Sequence, residues 1–256
     1  MSSLTTLLFD VDGTLAETEE THRQSFNKAF QQAGLDWEWS PELYSELLKV
    51  TGGKERIRHF LETRLPEFEP PMNLDEYIAG LHAAKTDIYT STVASGQMPI
   101  RPGVRRVLEE ARRAGLRLAI ATTTTPANVA SLLQYNFAPD AEDWFEVIGA
   151  GAVVPEKKPA PDIYHYVMEK LGVEPAECLA FEDSENGLRS ALAAGLRTLV
   201  TTSQYTGDQN FEGAVLVLDH LGEPDRPFRV LSGDAGDHDY TTVDLLRELH
   251  GRSQSQ

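Results

Sequence analysis

Two carboxylates stand two residues apart in Phe9-Asp10-Val11-Asp12-Gly13-Thr14, directly after the apolar run Leu7-Leu8-Phe9. Side chains alternate along a strand, so a strand ending here points Asp10 and Asp12 to the same side, and Gly13 lets the chain turn sharply beyond them. Two carboxylates that close repel unless a cation sits between them or one keeps a proton. Mg²⁺ takes oxygen ligands and commonly retains waters and a substrate phosphate, so it is the natural counter-ion. An ordinary acidic turn at a strand end is the competing reading of this motif alone.

Three further segments offer complementary chemistry. Thr122-Thr123-Thr124-Thr125 closes an apolar run just before Pro126, offering hydroxyls and backbone N–H groups to phosphate oxygens. In Lys157-Lys158-Pro159 the proline keeps Lys158 out of helical geometry and aims it from the turn. Phe181-Glu182-Asp183-Ser184 ends another apolar run in two adjacent acids, and a buried strand rarely ends so without a cation. Singly, each has a plainer reading as a cap, a solvated lysine or a turn. Together they put three or four carboxylates, a lysine and a hydroxyl cluster at strand ends.

The elements that must position them follow a βαβ rhythm. Strands are expected at Thr6 to Asp10, Leu116 to Ala121, Glu146 to Gly149, Cys178 to Glu182, Thr198 to Thr201 and Val215 to Leu218. Between them, helical periodicity recurs in Val104, Val107, Leu108 and Ala111, in Pro126 to Phe137, in Pro161 to Leu171 and in Leu188 to Ala194. This is an α/β class with a Rossmann-like core and a central parallel sheet, and such sheets bind ligands at the carboxyl ends of their strands. Residues 16–98 break the rhythm with helical stretches around Phe26 to Ala33, Leu43 to Leu48 and Tyr77 to Ile88, joined by a Pro-rich loop at Leu65 to Pro71. The expected division is therefore a core of residues 1–15 and 99–220, an all-helical insertion at 16–98, and an irregular tail at 221–256 with a short helix from Val243 to His250.

Composition narrows the partners. Among 256 residues, 23 Lys and Arg face 40 Asp and Glu, a formal charge of −17 that repels nucleic-acid phosphates and anionic lipid alike. No apolar run approaches the roughly 20 residues of a membrane span, and the first residues lack a basic leader, so a cytoplasmic monomer is expected. The single cysteine, Cys178, lies in an apolar strand and reads as a core residue rather than a nucleophile. Against that acidic background, Lys49 to Arg58 carries Lys49, Lys54, Arg56 and Arg58 against Glu55 alone, a local balance of +3. Gly52-Gly53 beside them can expose backbone N–H groups, a credible site for a second phosphate or for sugar hydroxyls.

Asp10-x-Asp12-Gly13-Thr14, Thr122, Lys158-Pro159 and Glu182-Asp183-Ser184 together resemble the four motifs of the haloacid dehalogenase superfamily, and the helical insertion resembles its C1 cap. Thr18-Glu19-Glu20-Thr21-His22, Thr51-Gly52-Gly53-Lys54-Glu55-Arg56 and Glu182-Asp183-Ser184-Glu185-Asn186-Gly187 make the chain most similar to the CbbY group, with β-phosphoglucomutases as close relatives. That resemblance implies a Mg²⁺-dependent phosphatase of xylulose 1,5-bisphosphate, an inhibitor of Rubisco formed outside the Calvin cycle's productive path. It implies Asp10 as nucleophile, forming an aspartyl-phosphate, and Asp12 as general acid and base, with Lys158 and Thr122 completing the catalytic set. Metal would be held by Asp10, Asp12 through its backbone carbonyl, Asp183 and Glu182. Substrate contacts would come from Asp10, Glu19, His22, Gly52, Gly53, Lys54, Glu55, Arg56, His82, Lys85, Thr122, Thr123, Thr124, Asn128 and Lys158. His22 has a rival reading as a packed histidine beside Phe26, and Asn186 as an ordinary helix-start residue. The functional alternatives are a sugar-phosphate mutase and a phospho-Asp signalling module.

Overall fold

A computed structural model describes residues 3–50 and 52–252; Thr51, part of the Gly-Gly segment singled out above, and residues 253–256 of the tail lie outside them. By internal packing the chain divides into two compact units, residues 1–17 with 98–256 and residues 18–97. In chain order the strands are β1 (Thr6–Phe9), β2 (Arg117–Ala121), β3 (Val147–Gly149), β4 (Cys178–Glu182), β5 (Arg197–Thr201), β6 (Leu216–Leu218) and β7 (Val230–Gly233). The α-helices are α1 (Thr18–Gln32), α2 (Pro41–Leu47), α3 (Gly53–Arg64), α4 (Leu74–Ala94), α5 (Val104–Arg113), α6 (Pro126–Leu132), α7 (Asp162–Leu171), α8 (Glu185–Ala193) and α9 (Val243–Gly251). No helix among the described residues is long and apolar enough to cross a membrane.

The larger unit is built on one sheet ordered β3-β2-β1-β4-β5-β6-β7, parallel except for β7. β1 reads Thr-Leu-Leu-Phe and is buried along its whole length, as expected of a strand covered on both faces. It lies at the centre, with β2 on one side and β4 on the other, so successive strands leave it in opposite directions and open a crevice at its carboxyl end. Leu8, Ala119 and Ala180 of neighbouring strands pack against Ile163, Tyr164, Val167 and Met168 of α7. The stripe Val104, Val107, Leu108 and Ala111 on α5 is buried as its periodicity requires.

The tail at 221–256, expected to be irregular apart from its helix, carries a strand as well. Val230–Gly233 forms an antiparallel edge strand against β6. All four residues of this strand are exposed, so ladder hydrogen bonds rather than an alternating apolar pattern define it, and the composition conceals it. The helix expected after it is present as α9, burying Val243, Leu245, Leu246 and Leu249.

The smaller unit is helical. Its core gathers Phe26 and Phe30 of α1 around Trp39 and Tyr44, with Trp37 meeting Phe60 and Phe68. α3 is a full helix where only a basic stretch stood out in the sequence. Lys54, Glu55, Arg56 and Arg58 mask the apolar set Ile57, Phe60 and Leu61 that buries it.

Candidate active site

Register sets the centre of the site. β1 and β4 pair in parallel with Phe9 beside Phe181, their rings stacked at 4.3 Å, and the Asp10 N–H donates to the Phe181 carbonyl at 3.0 Å. The first residue past β1 therefore lies beside the last of β4 and its successor. Asp10, Glu182 and Asp183 are all buried, and each offers a carboxylate oxygen within 4.8 Å of the others. Lys158, carried on the loop before α7, donates from Nζ to Asp10 Oδ1 at 2.7 Å and to Glu182 Oε1 at 2.6 Å. Its peptide bond to Pro159 is cis. The Tyr164 hydroxyl donates to Glu182 Oε1.

One ammonium among three buried carboxyls leaves an excess of negative charge. Burial pushes Asp10 up to about 7, against the pull of Lys158 and with Glu182 and Asp12 adding to the rise. Burial likewise lifts Asp183 well above the usual carboxylate range, reinforced by Asp10 and Glu182 and opposed by Arg101 and Ser203. Burial alone would lower Lys158, but Asp10 and Glu182 outweigh it and hold the ammonium above the ordinary lysine range. Such a cluster either keeps protons or takes a divalent cation. Two observations favour the cation: Glu182 Oε2 is buried with no hydrogen-bond partner, and every donor of the trio is an oxygen, the set Mg²⁺ prefers. Gly13, at φ 78°, serves the same centre, since a Cβ there would overlap the Asp183 carboxylate.

Asp12 occupies a different place. β1 ends at Phe9, so strand alternation does not extend to Asp12, which lies in a turn closed by Leu15 N–H donating to Val11 O at 2.9 Å. Its carboxylate stands outside the trio and accepts the Thr124 hydroxyl. Thr122 is buried at the end of β2, and its Oγ1 accepts the Thr124 N–H at 3.2 Å. Thr123 is exposed between them, while Asn128 is half-buried in the first turn of α6. Asn186 is exposed on the first turn of α8, where the capping oxygen belongs to Ser184. Cys178 is fully buried and its thiol is pushed up to about 12, chiefly by that burial, which suits a core residue.

In the helical unit, Lys85 of α4 is buried and donates from Nζ to His22 Nδ1 at 2.7 Å. An ammonium has no lone pair, so Nδ1 is the acceptor and the imidazole is neutral with its proton on Nε2. Consistently, burial and then Lys85, Arg56 and His82 hold His22 well below its ordinary value, and burial followed by Lys85 lowers His82. The His22 ring stacks on Tyr89 at 4.0 Å, so the packed-histidine reading and an inward-facing polar one coexist. Tyr44 is buried, donating to Glu19 Oε2 at 2.9 Å and accepting Arg56 Nη1 at 2.9 Å. Arg56 also donates to Leu47 O at 3.2 Å. Gly53 is packed against the His82 ring, while Gly52, Lys54 and Glu55 are exposed at the start of α3.

A model of the haloacid dehalogenase-like hydrolases matches residues 4–195. The chain belongs to this family. It is 50% identical over 245 residues to the protein CbbY of Cupriavidus necator, covering 95% of this chain and 96% of that one. Crystal structures of CbbY from Rhodobacter sphaeroides superpose with a TM-score of 0.71, covering 85% of this chain and 94% of the other. One, in complex with phosphate, is 47% identical; the other, a mutant in complex with xylulose-(1,5)bisphosphate, is 46% identical. This hydrolase is thus a phosphatase of the CbbY type.

Some residues of the phosphatase's centre escape the sequence. Tyr164 reads as one more member of the apolar face of α7, and nothing in its spacing announces that its hydroxyl reaches Glu182. Ser203 follows β5 with no motif around it. Gly187 stands in the acidic-loop motif, but only the fold reveals that a Cβ there would overlap the Glu182 carboxylate.

Proposed function

We propose that this phosphatase is Mg²⁺-dependent and removes one phosphate from a small sugar bisphosphate, xylulose 1,5-bisphosphate, through an aspartyl-phosphate on Asp10, thereby clearing a Rubisco inhibitor in the cytoplasm as a monomer. The observation that carries the reading is the buried trio Asp10, Glu182 and Asp183 bridged by Lys158. The similarity to CbbY, solved with xylulose bisphosphate in another organism, supports the choice of sugar.

In the first step the Asp10 carboxylate attacks phosphorus; the Asp10 O–P bond forms as the P–O bond to the sugar breaks. Asp12 gives its proton to the departing alkoxide, and later takes one from the water that cleaves the aspartyl-phosphate. Thr124, bonded to the Asp12 carboxylate, orients that acid. Lys158 neutralises charge on the transferring phosphoryl oxygens, while the Thr122 hydroxyl and the Thr123 N–H donate to them. Asp10, Asp183, Glu182 and the Asp12 carbonyl would hold Mg²⁺. Once bound, the ion would offset the clustered negative charge and stabilise phosphoryl oxygens. Asn128 would steady the loop after β2.

The helical unit supplies sugar recognition. Lys85, Lys54 and Arg56 bring positive charge for the second phosphate, with the N–H groups of Gly52 and Gly53 beside them. His22 and His82 are neutral at pH 7 and would act as hydrogen-bond groups rather than as cations. Glu19, held by Tyr44, and Glu55 would accept from sugar hydroxyls.

The test is phosphate release from ketose bisphosphates, aldose phosphates and simple esters, with and without Mg²⁺, beside Asp10→Asn. The expected result is Mg²⁺-dependent release, fastest from xylulose 1,5-bisphosphate and abolished in the variant. Full activity in Asp10→Asn would overturn the nucleophile, no preference among the esters would overturn the sugar, and an isomeric product without released phosphate would mark a mutase instead.

A further inference from the structure

The geometry points to Tyr164 as a positioning residue that holds the Glu182 carboxylate in its metal-binding orientation, an inference that rests on the metal reading of the trio. Tyr164 is fully buried among Ile163, Val167 and Met168, where a phenylalanine would serve the packing equally well. A buried hydroxyl is costly unless bonded, and its partner here is a carboxylate of the trio. Glu182 is itself 1% exposed at the end of β4. Its Oε1 takes two donors, the Tyr164 hydroxyl and Lys158 Nζ, while Oε2 takes none.

Two donors converging on one oxygen fix the orientation of the carboxylate, and the other oxygen, buried beside the Gly187 α-carbon, keeps its lone pairs unused. Lys158 by itself cannot do this, because its ammonium is shared with Asp10 and its donors rotate freely. Tyr164 also steadies Lys158: the ammonium lies 5.3 Å from the centre of its ring. The Oε2 side of the carboxylate is bounded by Gly187, where a Cβ would collide with it. The Glu182 side chain is thus confined between a hydroxyl and a bare α-carbon. Partners that orient a metal ligand in this way typically matter about 10–100-fold in affinity when removed.

Tyr164→Phe isolates the hydroxyl, since it keeps the ring, its packing and its contact with Lys158. The probe is Mn²⁺, titrated into the full-length chain and followed by electron paramagnetic resonance, with melting temperature recorded in the absence of metal. The expected result is Mn²⁺ affinity lower by about tenfold, a loss of kcat/KM at limiting Mg²⁺ that excess Mg²⁺ restores, and cooperative melting as in the wild type. A residue that merely stabilised the fold would change the melting temperature and leave metal affinity alone. Wild-type affinity in a folded Tyr164→Phe overturns the inference while leaving the metal reading intact. A wild-type chain that binds no Mn²⁺ overturns both.

Discussion

The Thr124 hydroxyl donates to the Asp12 carboxylate, joining the loop after β2 to the turn after β1. Thr124 is therefore expected to hold Asp12, the proposed general acid, in place without touching the transferred phosphoryl group. Thr124→Val should lower kcat by roughly tenfold, a fraction of the roughly 10²–10⁴ that a positioned acid or base contributes, with KM changed little. Steady-state kinetics decides it: a variant with unchanged kcat and a raised KM would instead make Thr124 a substrate contact.

Gly187 is expected to tolerate no side chain. Gly187→Ala inserts a methyl group where the Glu182 carboxylate sits, so that carboxylate must leave its bonds to Lys158 and Tyr164 or the start of α8 must shift. A stability loss of about 1–3 kcal/mol is expected from the overpacking, together with weakened metal binding. Chemical denaturation and metal titration on one preparation measure both, and full retention of both would show that the carboxylate has room the fold does not reveal.

The helical unit should lose stability in mild acid. His22 is held well below its ordinary value of 6.5 in the native state, by burial and then by Lys85, Arg56 and His82. Below about pH 6.5 the unfolded chain binds a proton that the native His22 refuses, so stability is present above that pH and falls as pH drops through it. The slope approaches about 1.4 kcal/mol per pH unit for this one group. His22→Asn keeps an acceptor for Lys85 but cannot titrate, and should flatten the dependence between pH 6.5 and 5 without removing it, because His82 of the same unit is lowered too. Parallel slopes in urea titrations of the two proteins would count against it.

Arg106 fastens the C-terminal segment to α5. Its guanidinium donates to the Glu223 carboxylate at 2.8 Å, to Thr241 O at 2.6 Å and to Gly222 O at 2.6 Å, and lies 4.8 Å from the centre of the Tyr240 ring. Arg106→Met should cost about 2–3 kcal/mol, the scale of a partly buried charged hydrogen-bonding group. Hydrogen exchange should quicken at Leu221 and Thr241, whose N–H groups donate to Pro102 O and Leu221 O beside the Arg106 guanidinium, and stay slow along β1 and β4. Uniform quickening across the chain would show that Arg106 supports the whole unit.

The sequence alone determined which acids, hydroxyls and lysine stand at strand ends and before helices. Asp10, Thr122, Lys158 and Glu182-Asp183 are legible because each closes an apolar run or precedes a proline or helix, and local patterns of that kind depend on neighbours within a few residues. The strands and the buried stripe of α5 were readable for the same reason. α3 and β7 were obscured: charges hide the apolar residues of the first, and the second is fully exposed and held by pairing with β6. Only the tertiary structure decided which carboxylates meet. It takes the β1–β4 register to set Asp10 against Glu182, and the turn after Phe9 to separate Asp12 from the trio and give it to Thr124. Tyr164 and Gly187 came from the fold as well, since their contacts with Glu182 link residues at least five apart in the chain and leave no periodic trace.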